Sequence, residues 1–185
     1  MMRRSDVGHG IDSIHAVQFA TRVVDHIFWN PQWSVHKFRD HKDQVYRAGR
    51  DGVSIEELKR QFQDRFLEAL MFPGNLLLNE GINELWTLVC AATAIRFDNT
   101  NAYTGVGDSS AAEAATQTDL QAATNKLYKA MDAGYPTYGS AQKATWRSTY
   151  ASADANFVWA ECTVSNTSSG TGKNLNRKVQ TDYIK

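Results

Sequence analysis

The hydrophobic period of this chain changes near residue 98, and that change narrows the folds open to it. Before it, apolar residues recur at three- and four-residue steps; after it, aromatics stand at alternating positions among Ala, Thr, Ser, Asn and Gly. The first spacing lines one face of a helix and the second lines one face of a strand. Helices should therefore precede a strand-rich region. Pro73-Gly74 marks a second break, where a stretch dense in charges, histidines and aromatics ends. No internal repeat or long low-complexity tract interrupts the chain.

In the first part, "WSVHKF" (33–38) alternates large apolar and polar residues, which predicts a strand. "DGVSIEELKRQFQDRFLEALMF" then carries a helix start. Ser54 is the candidate N-cap and Glu57 completes a capping box. Ile55, Leu58, Phe62, Phe66 and Leu70 form one apolar stripe, predicting a helix that runs to Pro73. Phe62, Phe66 and Leu70 make that stripe the candidate assembly surface.

"PGNLLLNEGINELWTLVC" (73–90) predicts a second helix, with Leu78, Ile82, Leu85 and Val89 as its buried stripe and Trp86 at the edge. Glu80 and Glu84 share the opposite face at i,i+4 spacing, which suits oxygen ligation or acid–base work. No histidine or third carboxylate follows at ligand spacing, so this face is expected to be solvated. Gly81 weakens a helix by about 1 kcal/mol relative to Ala, which points to another backbone or a ring packed closely there.

Beyond residue 98, "NAYTGVGD" predicts a strand and "SSAAEAATQTDLQAAT" a loop with at most a short helix. "NKLYKAMDAGYPTYG" predicts a strand, with "QKATWRSTY" as its hairpin partner. "FVWAECTVSN" predicts another, with Phe157 and Trp159 on one side and Val158, Cys162 and Val164 on the other. Short strands separated by turn signals indicate an antiparallel β-sandwich, with the 76–90 helix covering it.

Composition bounds the function. The 185 residues suffice for one domain with a sizeable core, or a small domain and an arm. Twenty basic residues balance twenty acidic ones, so no global field favours nucleic acid or an anionic membrane. The apolar runs are too short or too polar at their flanks to span a bilayer, and no secretory signal is visible. Cys90 and Cys162, far apart in apolar surroundings, are expected to be small buried hydrophobes.

Motifs that imitate sites fail on inspection. "SSGTGKN" lacks the first glycine and the metal-binding hydroxyl of a phosphate loop, and predicts a hairpin loop instead. "GVGDSS" lacks the third glycine of a dinucleotide fingerprint. His26, His36 and His41 with Asp25 and Asp40 offer metal ligands, but the i,i+5 spacing of the last two histidines suits neither a helix face nor a strand face. Nothing resembles a nucleophile elbow. The residues predict no enzyme, no cofactor and no metal site.

"GNLLLNEGINELWTLV", "NAYTGVGDSS", "TDLQAATNKLYKAMDAGYPT", "ATWRSTYASADANFVWAECTVSN" and "NLNRKV" together resemble a family of tailed-phage and prophage structural proteins, over roughly residues 73 to 179. The resemblance implies a virion-associated protein, with no catalytic or cofactor residues to carry over. Residues 1–72 match less clearly and are expected to form an amino-terminal arm of strand and amphipathic helix. Residues 73–185 are expected to form the helix and sandwich domain. Family chains continue past "NRKV" into a closing strand, whereas this one stops at "QTDYIK". The sandwich is therefore expected to lack that strand, leaving an open edge or one completed by a neighbouring chain.

Two functions follow. The first is a capsid- or tail-associated accessory or decoration protein, working by assembly with other virion proteins and copies of itself, without nucleic acid or membrane. Its place would be the virion, and the host cytoplasm during assembly. The second is a carbohydrate- or receptor-binding sandwich of a phage fibre, with Trp146, Trp159, Tyr135 and Tyr138 as stacking platforms.

Overall fold

The computed structural model describes residues 32–180, apart from positions 75, 92, 142 and 170. The amino-terminal part of the expected arm, with His26 and Asp25, lies outside them, as does the end of the chain. Among the described residues the fold is mainly β, with antiparallel sheets and three α-helices.

Strand β1 (Gln32–Phe38) falls where the alternating pattern predicts. Two short helices follow, α1 (Gln44–Arg50) and α2 (Ile55–Gln61). The Asp40 carboxylate accepts from Val45 N at 3.1 Å and Tyr46 N at 2.9 Å, satisfying donors near the start of α1. Ser54 caps α2 as expected, its Oγ accepting from Glu57 N at 3.2 Å. Glu57 does not complete the box; its carboxylate takes Arg60 and Gln61 instead.

The predicted long helix stops at Gln61. After a 3-10 turn (Gln63–Arg65), strand β2 (Phe66–Pro73) runs antiparallel to β1, with Phe72 opposite Trp33 and Leu70 opposite Val35. Phe62, Phe66 and Leu70 therefore do not share a helical stripe. Phe62 ends α2 with the Arg65 guanidinium 5.4 Å from its ring centroid, while Phe66 sits edge-on to Phe38 at 5.3 Å. Leu70 packs on the core. A spacing of four satisfies both a helix and a strand, and the strand wins because Phe72 extends the alternation into a buried position.

The main sheet has the order β3-β9-β8-β4-β5, built from β3 (Leu76–Leu77), β4 (Tyr103–Gly107), β5 (Lys126–Ala130), β8 (Glu161–Ser165) and β9 (Asn176–Val179). Between β3 and β4 lies helix α3 (Asn79–Cys90). Residues 109–124 form the expected loop. The predicted strand over 125–139 is split in two: β5 pairs with β4, and its last residues open β6 (Thr137–Ser140), which the predicted hairpin partner joins as β7 (Lys143–Thr145). Among the described residues, 146–150 belong to no ladder. Strand β8 begins only at Glu161, so Trp159 is not bound to the alternation, and it shares one cluster with Cys162 rather than facing away from it.

One core cluster joins Phe72 of β2 to Val106, Trp159 and Cys162, with Trp33, Val35 and Leu70 packed against it. The β1–β2 ribbon thus buries its apolar side on the β4–β8 part of the main sheet. A second cluster gathers Phe97, Ala102, Met131, Val164 and Leu175. Two buried charges fix the loops. Arg177 Nε donates to Glu161 Oε2 at 2.6 Å with both side chains fully buried. Glu161 also accepts from the main-chain N–H groups of Gln121 and Ala122, and Arg177 donates to Gln117 Oε1 and the carbonyl of Ala111. Such a pair tolerates burial because both side chains gain further hydrogen-bond partners.

Candidate functional site

Helix α3 is docked the opposite way round from its amphipathic pattern. The face bearing Glu80, Gly81 and Glu84 turns inward to the β8–β9 hairpin. Glu80 Oε1 accepts from Asn174 N at 2.7 Å, while Glu84 Oε1 accepts from Asn166 Nδ2 at 2.9 Å and Ile95 N at 3.1 Å. Asn166 closes the hairpin loop, its Oδ1 accepting from Lys173 N at 2.7 Å. The expected solvated face is thus a polar seam. Burial pushes the Glu80 carboxyl above its ordinary value, opposed by the hydrogen bonds from Asn174 and the nearby Lys173.

The predicted buried stripe pays no such role. Leu78 is fully buried, but Leu85 is 38% exposed, Trp86 44% and Val89 75%, with Ile95 beyond the helix at 47%. Cys90, expected to be buried, is exposed at the end of the same helix, whereas Cys162 is buried and its thiol pushed upward by desolvation. The outcome is an exposed, uncharged apolar face of α3 at Leu85, Trp86 and Val89.

The second feature is a cavity of about 590 Å³. Every residue of β1 lines it, and so does every residue from Thr145 to Ser152. Val106, Cys162, Phe72 and Trp159 of the first core cluster contribute its floor. Asp132 anchors the 145–152 wall: fully buried, it accepts from Arg147 Nε at 2.8 Å, Thr149 N at 2.9 Å and Thr149 Oγ1 at 2.7 Å. It also takes Arg50 of α1 at 3.1 Å. Arg147 then reaches the carbonyls of Val53 and Gly49, tying this wall to the helices.

Sequence reasoning named Tyr135, Trp146 and Trp159 as stacking platforms, and all three line this cavity. The indole of Trp146 donates to Phe97 O at 3.0 Å and that of Trp159 to Ala155 O at 3.0 Å, so both rings are anchored in the body. Tyr135 lies under the Arg147 guanidinium, 4.2 Å from its ring centroid. Tyr138 stands apart on β6, 77% exposed. Two further residues line it: Trp33, which sequence reasoning did not single out, and His36, which it weighed only as a metal ligand. Among the described residues, the buried Trp33 Nε1 and His36 Nδ1 have no hydrogen-bond partner. Burial and the neighbouring Lys59 lower the His36 pKa, opposed by Glu56.

Among the described residues, no group of three or more His, Cys, Asp or Glu side chains is placed to hold a metal ion. Among them, too, no helix is long and apolar enough to cross a membrane. No protein-family model, curated protein or solved structure matches the chain.

Proposed function

We propose that this protein is a structural component of a tailed-phage particle, a capsid- or tail-associated accessory protein that acts by binding other virion proteins and copies of itself. The observation that carries the reading is the outward face of α3. Leu85, Trp86 and Val89 form an uncharged apolar face whose exposure disfavours a solitary chain. The resemblance over residues 73 to 179 supports the setting. In this reading the β1–β2 ribbon and the main sheet are the two layers of an antiparallel sandwich. Residues 1–72 supply the arm by which the particle holds the chain, rooted in the body through the ribbon. The chain has no catalytic role, and its place is the virion, reached from the host cytoplasm.

The test is light scattering of the purified chain beside a Trp86→Ser/Val89→Ser variant. Oligomers for the first and monomers of equal thermal stability for the second are expected. A wild-type chain that stays monomeric at high concentration argues against self-assembly.

A second reading, a carbohydrate- or receptor-binding module of a fibre, draws on Tyr135, Trp146 and Trp159 meeting in one cavity and on the exposed ring of Tyr138.

A further inference from the structure

The cavity is walled by two runs of consecutive residues, β1 on one side and 145–152 on the other. Consecutive residues of a strand point to opposite faces, so a space lined by all of them runs beside the strand as well as over one face. Among the described residues strand β1 is paired on one side alone, to β2, and no main-chain hydrogen bond reaches its other edge. The opposite wall has the same property. Arg147 O and Thr149 N both turn to Asp132, the two-residue spacing of extended chain. Among the described residues, the main-chain groups of Trp146, Ser148 and Tyr150 between and beside them pair with no other main chain, and the alternation of extended chain turns them to the opposite side.

From this geometry we propose that the groove between β1 and residues 145–152 takes an extended strand donated by another protein chain. The guest adds to the free edge of β1, the mode of recognition in which main-chain bonds supply affinity and alternate side chains supply specificity. Strand β1 has seven residues, so the guest matches it over about 23 Å. Its alternate side chains meet Phe72, Val106, Trp159 and Cys162, and are therefore apolar. They are also uncharged, because the charges lining the groove are already engaged: Asp40 by Val45 N and Tyr46 N, Lys37 by Glu68, Arg147 by Asp132. The buried Trp33 Nε1 and His36 Nδ1 await partners that a guest supplies. The hydroxyls of Ser148, Thr149 and Tyr150 are engaged by Lys129 O, Asp132 and Thr104 O, so the 145–152 wall offers a guest mainly its main-chain groups. The inference rests on the assembly reading and adds the chemistry of the partner.

The experiment is hydrogen exchange of the full chain, alone and with a capped heptapeptide alternating valine and threonine. The same strand fused after Lys185 through a long glycine-serine linker raises its effective concentration. At least tenfold slower exchange in β1 and at 146–150 is expected, absent when the strand carries a central proline and weakened by Trp33→Phe. The same protection appearing with rising protein concentration alone also supports the proposal, with a second copy as donor. No protection from either peptide or fusion overturns it. So does protection by a neutral oligosaccharide or by Nile red with none from the peptide. Particle composition tests the assembly reading separately, so a chain found in virions whose groove takes no strand removes this inference alone.

Discussion

Gly81 of α3 lies against the main chain of Leu175, so close that a Cβ on it would stand 2.4 Å from the Leu175 carbonyl oxygen and 2.6 Å from its Cα. That contact fixes which face of the helix turns inward. Helix propensity alone predicts that Gly81→Ala stabilises the protein by about 1 kcal/mol. The docking predicts the reverse, a loss of about 1–3 kcal/mol from overpacking, because main chain cannot step aside as a side chain can. Urea unfolding of the variant distinguishes the two.

The buried Arg177–Glu161 pair is expected to be sensitive to breaking and much less so to removal. Arg177→Met alone leaves the Glu161 carboxylate buried without its cation and should destabilise by about 3–5 kcal/mol. Adding Glu161→Gln, which retains an oxygen for the Gln121 and Ala122 N–H groups, should recover part of the loss. A double-mutant cycle by denaturant titration measures the coupling.

Two side chains should shape the pH dependence with opposite signs. His36 has a lowered pKa in the fold, so the unfolded chain binds more protons near and below pH 6.5. Its contribution is present above 6.5 and is lost as pH falls through the folded value. Glu80 has a raised pKa, so its contribution is present below 4.5 and is lost as pH rises through the folded value. His36→Gln should flatten the acid side of a melting-temperature profile near pH 6. Glu80→Gln, which keeps an acceptor for Asn174 N, should instead flatten the fall just above 4.5.

What the sequence discloses and conceals follows from the range of the interactions. Strand β1, the Ser54 cap, the strands β4 and β5 and the close approach at Gly81 are legible because pattern and local chemistry agree there. Strand β5 is readable despite helix-favouring residues because Gly134 and Pro136 close it. Phe66 and Leu70 mislead because their spacing of four fits both periods, and Phe72 decides only through a core partner more than thirty residues away, at Val106. Glu80 and Glu84 mislead because their partners are main-chain and amide N–H groups of a distant hairpin, which no charge pattern reveals. The groove is invisible in sequence for the same reason. Its walls, β1 and residues 145–152, lie on opposite sides of the chain's middle, and what marks them is a shortage of hydrogen bonds.

The outward face of α3 should be dispensable for folding. Trp86→Ser and Val89→Ser remove exposed apolar surface without touching the seam at Glu80 and Glu84, so each should change stability by no more than about 0.5 kcal/mol. Thermal melts check this, and a large loss in either variant means that the face is packed rather than free.

The most direct measurement of the assembly account is mass spectrometry of purified phage particles made in cells that carry the wild-type chain or the Trp86→Ser/Val89→Ser variant. The account predicts peptides of the wild-type chain at a fixed ratio to the major structural proteins, and a marked fall for the variant despite equal expression. A wild-type chain that remains in the soluble fraction and is missing from the particles contradicts it.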